Sequence, residues 1–231
     1  MPHRHCLAAI ALVLAAASCS EEQEPRSQGA ATADPPTQKA QPGTPVLGSW
    51  DARVYNAPHF GLRLTVPSEW YLKKGGIQAA MDWGIDDAAG DDAALRNGLR
   101  KAAQNKVTIF WAFRHPPGRK GNPGVVVLIE NVGMHAHVAT AADYLLLLEK
   151  TQQATRANVK YRDRPRETRL GGVEFATRLA DAESQGLPFT QRYLARKRGP
   201  LVLFALAVFG SPDEERVTRE LLDTIEPLAA P

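Results

Sequence analysis

Leu201-Val-Leu-Phe-Ala-Leu-Ala-Val-Phe209, followed at once by Gly210-Ser-Pro-Asp-Glu214, decides the fold of this chain. The first stretch is apolar throughout and bounded by Gly-Pro on one side and Gly-Ser on the other. It reads as a strand apolar on both sides, which requires cover on both faces of its sheet. The second stretch supplies a helix start: Ser211 as N-cap, Pro212 at the first helical position, and Glu214 three residues after the cap. The helix it opens carries Val217, Leu221, Leu222 and Ile225 on one face and must end before Pro227.

Two more runs of the same kind lie upstream, Val107-Thr-Ile-Phe-Trp-Ala-Phe113 and Val125-Val-Val-Leu-Ile129, the latter extending to Val132. Leu62 to Val66 alternates apolar and polar residues, Trp70 to Leu72 follows Pro67, and Val173 to Asp181 and Phe189 to Ala195 read as alternating, peripheral strands. Thr140-Ala-Ala-Asp143 starts a second helix through about Ala154, and a weaker third runs from about Ala88 to Gln104 with Leu95 and Leu99 inward. Short turns such as Arg198-Gly199-Pro200 join consecutive strands, so the sheet should be mainly antiparallel. The expected architecture is α/β, a three-layer α/β/α sandwich over residues 47–231.

The front of the chain is of another kind. Arg4, with His3 and His5, precedes an apolar run from Leu7 to Ala17, far short of the roughly 20 residues a spanning helix needs. Leu14-Ala-Ala-Ala-Ser-Cys19 resembles the lipobox of bacterial lipoproteins, with Ala16 where leucine is usual. That resemblance implies cleavage after residue 18 and acylation of Cys19, the lipid chains holding the protein to a membrane. Ser20 rather than aspartate follows, which in that class implies the outer membrane, facing the periplasm. Residues 19–46 are Ser, Glu, Gln, Ala, Thr and Pro with almost no large apolar side chain, a composition that cannot offset its ordering entropy. They form a tether reaching on the order of 30 Å.

Of the two cysteines, Cys6 lies in the segment to be removed and Cys19 is the acylation point, so the folded part has no thiol for a disulfide, a metal or a nucleophile. Losing Arg4 lowers the formal charge by one, from +3 to +2, too near balance to argue for nucleic acid.

Phe60-Gly-Leu-Arg-Leu-Thr-Val-Pro-Ser-Glu-Trp70 is similar to the "aromatic-x-hydrophobic-x-hydrophobic-P-x-x-W" entry of the PsbP/Mog1-like superfamily. Leu170-Gly-Gly-Val-Glu-Phe175, Gln191-Arg-Tyr193 and the closing strand and helix resemble that family's second half. The resemblance covers about 60–228 and implies a non-catalytic domain. It carries over no role, because that family has no shared binding or catalytic motif to place on these residues.

The chain lacks a Gly-x-Ser-x-Gly elbow, a phosphate-binding loop and a His-Glu-x-x-His motif. Its serines Ser49, Ser68, Ser184 and Ser211 read as turn and cap residues. His135 and His137 would share one face if the Val125 strand continued, close enough for a metal, although two ligands do not complete a site. Asp82, Asp86, Asp87, Asp91 and Asp92 crowd a stretch that could hold a hard cation or simply be a solvated loop. Arg162, Arg164, Arg166, Arg196, Lys197 and Arg198 could unite as one basic surface toward lipid headgroups or an acidic partner. The expectation is therefore a membrane-anchored, non-catalytic binding or accessory module with no cofactor and an envelope protein as partner. A metal- or small-ligand-binding periplasmic domain is the alternative.

Overall fold

The computed structural model describes residues 47–74, 93, 105–116, 119, 121–154, 158–184 and 186–228. The strands in chain order are β1 (Ser49–Asp51), β2 (Val54–Ala57), β3 (Leu62–Thr65), β4 (Tyr71–Lys74), β5 (Lys106–Phe113), β6 (Gly124–Asn131), β7 (Val159–Tyr161), β8 (Arg166–Leu170), β9 (Val173–Ser184), β10 (Leu187–Arg198), β11 (Leu201–Phe209) and β12 (Glu226–Pro227). Helix α1 spans Ala141–Ala154 and α2 Pro212–Leu222.

The strands form an eight-stranded sheet in the order β4-β5-β6-β11-β10-β9-β7, with β8 beside β7 on the outer edge of β9, and a four-stranded sheet β1-β2-β3-β12. Every pairing is antiparallel. The fold is thus a mainly antiparallel sheet with helices, an α+β arrangement. The third expected helix, about 88–104, lies almost wholly outside the described residues.

Strand β11 sits at the centre of the large sheet, and its alternate residues feed two cores. Val202, Phe204, Leu206 and Val208 join Tyr144, Leu145 and Leu148 of α1. Leu201, Leu203, Ala205 and Ala207 join Leu221 and Leu222 of α2 and Tyr55, Leu62 and Leu64 of the small sheet. The double cover demanded by the unbroken apolar run is present, one side by a helix and the other by a small sheet together with a helix. A three-layer sandwich expects helices alone on both sides. On the second side the small sheet joins α2, because Leu62, Leu64 and Val66 alternate and so present an apolar strand face.

A bulge between Thr108 and Phe110 sets the facing of β5. It turns both Ile109 and Phe110 to the small-sheet side and sends Trp111 and Phe113 to the α1 side. Strand β10 is not peripheral as its alternation suggested: it lies between β9 and β11, and Tyr193 and Leu194 are buried on opposite faces.

Both helix starts form as the residue types require. The Ser211 hydroxyl accepts from the Glu214 N–H at 3.2 Å, and Glu214 reaches back to the Gly210 N–H at 2.5 Å. At α1 the Asp143 carboxylate accepts from the Thr140 N–H at 2.8 Å while the Thr140 hydroxyl accepts from the Asp143 N–H at 3.1 Å. The Thr140 hydroxyl, which also donates to the Asp143 carboxylate at 2.8 Å, and then the Thr140 N–H hold that carboxyl below the usual aspartate range.

Candidate functional site

Cys19, the tether and the Asp82, Asp86, Asp87, Asp91 and Asp92 cluster lie outside the described residues. Strand β6 ends at Asn131, so alternation does not govern His135 and His137. Two turns follow instead, His135 N–H donating to Val132 O and Val138 N–H to His135 O. The two imidazoles meet edge to face, 5.8 Å between centroids, and among the described residues no group of three or more metal-ligating side chains exists. Ser68 donates to Glu69, while Ser49 sits in β1 rather than in a turn. Trp70 is core, and Trp111 is buried on the α1 side with its Nε1 taking no partner among the described residues.

The six basic residues differ in how they are engaged. Arg196 donates to Phe60 O and Glu174 O, Arg198 to His59 O and Lys197 to Gly199 O, tying the β10–β11 turn to the segment between β2 and β3. Arg162 pairs with Asp181 and Thr190 farther along β9 and β10, and Arg164 is exposed. Arg166, in contrast, faces Arg192, on the basic β10 hairpin, and Arg219, which belongs to no basic stretch of the sequence.

These three arginines border a groove of about 320 Å³ between β8, β9, β10 and α2, floored by Leu170, Leu179, Leu194 and Leu222. The register explains the floor: Leu170 pairs Val173 in β8–β9, and Leu194 pairs Thr177 in β9–β10, so the groove lies on the small-sheet side where α2 ends. Arg192 is only 14% exposed and binds Glu215 at 2.5 Å; Arg219 reaches the same carboxylate oxygen at 3.4 Å. Arg166 stands 4.0 Å from Asp163. Burial, then the charges of Arg219 and Arg166, push the Arg192 pKa down against the opposing pull of Glu215. A guanidinium stays charged regardless. The shift therefore marks a cation crowded by cations and short of solvent. Among the described residues its Nε and Nη1 take no protein acceptor.

Two buried polar networks lie on the α1 side. Gln152, Tyr161, Tyr193 and Gln191 are linked through their side-chain oxygens and amides, and Arg178 stacks 4.0 Å from the Tyr161 ring while pairing Glu149 at 2.8 Å. In the second, Tyr144 donates to Glu130 at 2.7 Å and the Lys106 ammonium stands 3.8 Å away, all buried. Burial raises the Glu130 pKa despite both partners, because desolvating a carboxylate costs more than they return. The native state therefore binds a proton more readily than the unfolded chain at this residue. Its contribution is fully present below the ordinary glutamate pKa and is lost as pH rises through the raised one. We expect the stability of the natural chain to fall relative to Glu130→Gln as pH is raised from 4 through neutrality in urea titrations. A constant difference would show that Glu130 does not titrate in that window.

The groove could have been found from sequence only by pairing β8 with β9 and laying α2 across them. Arg166, Arg192 and Arg219 are far apart in the chain, and only Arg192 lies in a stretch that carries the family resemblance, Gln191-Arg-Tyr193. No protein-family model and no curated protein matches the sequence. Among solved structures the chain is similar to a protein of Bacteroides thetaiotaomicron at 13% identity, covering 76% of this chain and 48% of that one, with TM-score 0.39. It is similar to LpqN, involved in cell envelope biogenesis of Mycobacterium tuberculosis, at 13% identity, covering 72% and 83%, with TM-score 0.39. It is also similar to the cyanobacterial PsbP of Synechocystis at 10% identity, covering 78% and 98%, with TM-score 0.41. The chain thus spans about half the length of the first of these, and likenesses at this level decide neither fold nor role.

Proposed function

We propose that this chain is a bacterial lipoprotein, acylated on Cys19, whose domain serves as a non-catalytic binding or accessory module at the cell envelope. The observation that carries the reading is the order of parts: a short apolar run, small residues, Cys19, a Pro-rich polar segment, and a folded domain from about residue 47. A domain on a tether of that composition can search for a partner while its anchor keeps it at the surface. Acyl chains in the plural are needed, since a single chain binds a bilayer only marginally. The Ser20 after the cysteine supports an outer-membrane position facing the periplasm. The groove beside α2 favours, within the same reading, a domain that takes a small ligand.

Metabolic labelling with an alkyne fatty acid in a Gram-negative host should tag the full chain and leave Cys19→Ser untagged. Equal labelling of both would refute acylation at this residue. Cross-linking of the intact protein in cells should recover a partner that Cys19→Ser fails to capture; recovery of lipoprotein-processing proteins alone would count against the accessory role.

A further inference from the structure

We propose that the groove between β8 and α2 binds a small molecule with one oxyanion head, a carboxylate or phosphate monoester, on an apolar body. The inference rests on reading the domain as a binding module and is independent of the anchor.

Three features point to this chemistry. Arg192 is nearly buried, yet it spends a single hydrogen bond on Glu215 and keeps Nε and Nη1 without a protein acceptor among the described residues. A partly buried guanidinium with N–H groups that no described acceptor takes can donate to an oxyanion, and such charge-assisted bonds gain strength as water is displaced. Arg219 and Arg166 stand on either side, sharing Glu215 and a distant Asp163, so the carboxylates present leave donors over. Leu179 and the edge of Leu170 add a small apolar surface to a lining that is mostly polar, which a bare inorganic ion could not use.

The size narrows the class further. About 320 Å³ is at the small end of ligand sites and suits a ring or a short chain. Arg169, Glu167 and Asp223 also border the groove, so its lining carries more cations than carboxylates.

The test uses the full chain in a neutral detergent and fluorine NMR of three probes: 4-fluorobenzoate, 4-fluorophenyl phosphate and 4-fluorobenzyl alcohol. At least one oxyanion should bind roughly tenfold more tightly than the alcohol, and the tighter of the two names the head group the site prefers. Arg219→Ala, a half-exposed position that leaves the core intact, should weaken that probe several-fold, and Arg192→Gln should remove the preference over the alcohol. Binding of the alcohol as tight as that of both oxyanions would overturn the proposal. So would absence of oxyanion binding to the folded chain, or oxyanion binding that Arg219→Ala leaves unchanged. None of these readouts depends on acylation, so failure here and failure of the labelling at Cys19 are separable.

Discussion

Gly171→Ala should destabilise the domain by about 3 kcal/mol or more, seen as a lowered urea midpoint with an unchanged slope. Gly171 forms the β8–β9 turn with φ +52°, a left-handed conformation that costs an L-residue about 1–2 kcal/mol. The larger part of the effect is steric. A β-carbon there would overlap the Ile225 carbonyl oxygen, lie 2.8 Å from its carbon and 3.4 Å from Glu226 Cα. All of these are backbone atoms, so no side chain can swing aside, and the segment leading into β12 would have to move. Gly199 provides the control. It has φ +57° at the β10–β11 turn but nothing within 4 Å of an added β-carbon, so Gly199→Ala should cost only the conformational penalty, about 1 kcal/mol. Equal effects at the two glycines would show that Gly171 is not packed against Ile225.

Phe204→Ala should cost about 3–5 kcal/mol, measured by the same unfolding experiment. Phe204 is 1% exposed in the middle of β11 and faces α1. Its ring lies 5.8 Å from that of Tyr144, edge to face, and 6.0 Å from that of Tyr193. Truncation leaves a cavity beside two tyrosines whose hydroxyls are held by Glu130 and Gln191, so neither ring can collapse inward without giving up a buried hydrogen bond. A loss under about 1 kcal/mol would mean that α1 settles into the space. Phe204→Leu, which keeps most of the volume, should recover more than half of the loss.

Both positions illustrate what could be read in advance. Phe204 stands in an apolar run that could only be a doubly covered strand, and its burial followed from the run. Gly171 read merely as a turn. Its approach to Ile225, more than fifty residues later, depends on how β12 returns to the small sheet. Three of the missed strands, β1, β7 and β12, are only two or three residues long, and such lengths carry no periodicity to detect. Strand β8 is Arg166-Glu-Thr-Arg-Leu170, largely exposed, and its residues read as a basic stretch because only pairing with β9 makes it a strand.

By itself, the sequence determined the long elements: the apolar runs of β5, β6 and β11, the cap at Ser211 and the Thr140–Asp143 box. These are local properties, set by side-chain chemistry within a few residues. The tertiary structure alone decided how the arginines sort. Arg196 and Arg198 are used as ties to the β2–β3 segment, whereas Arg166, Arg192 and Arg219 converge on one groove. That sorting depends on strand register and on where α2 crosses the sheet, and a charge carries no mark in the sequence of the distant residue it will face.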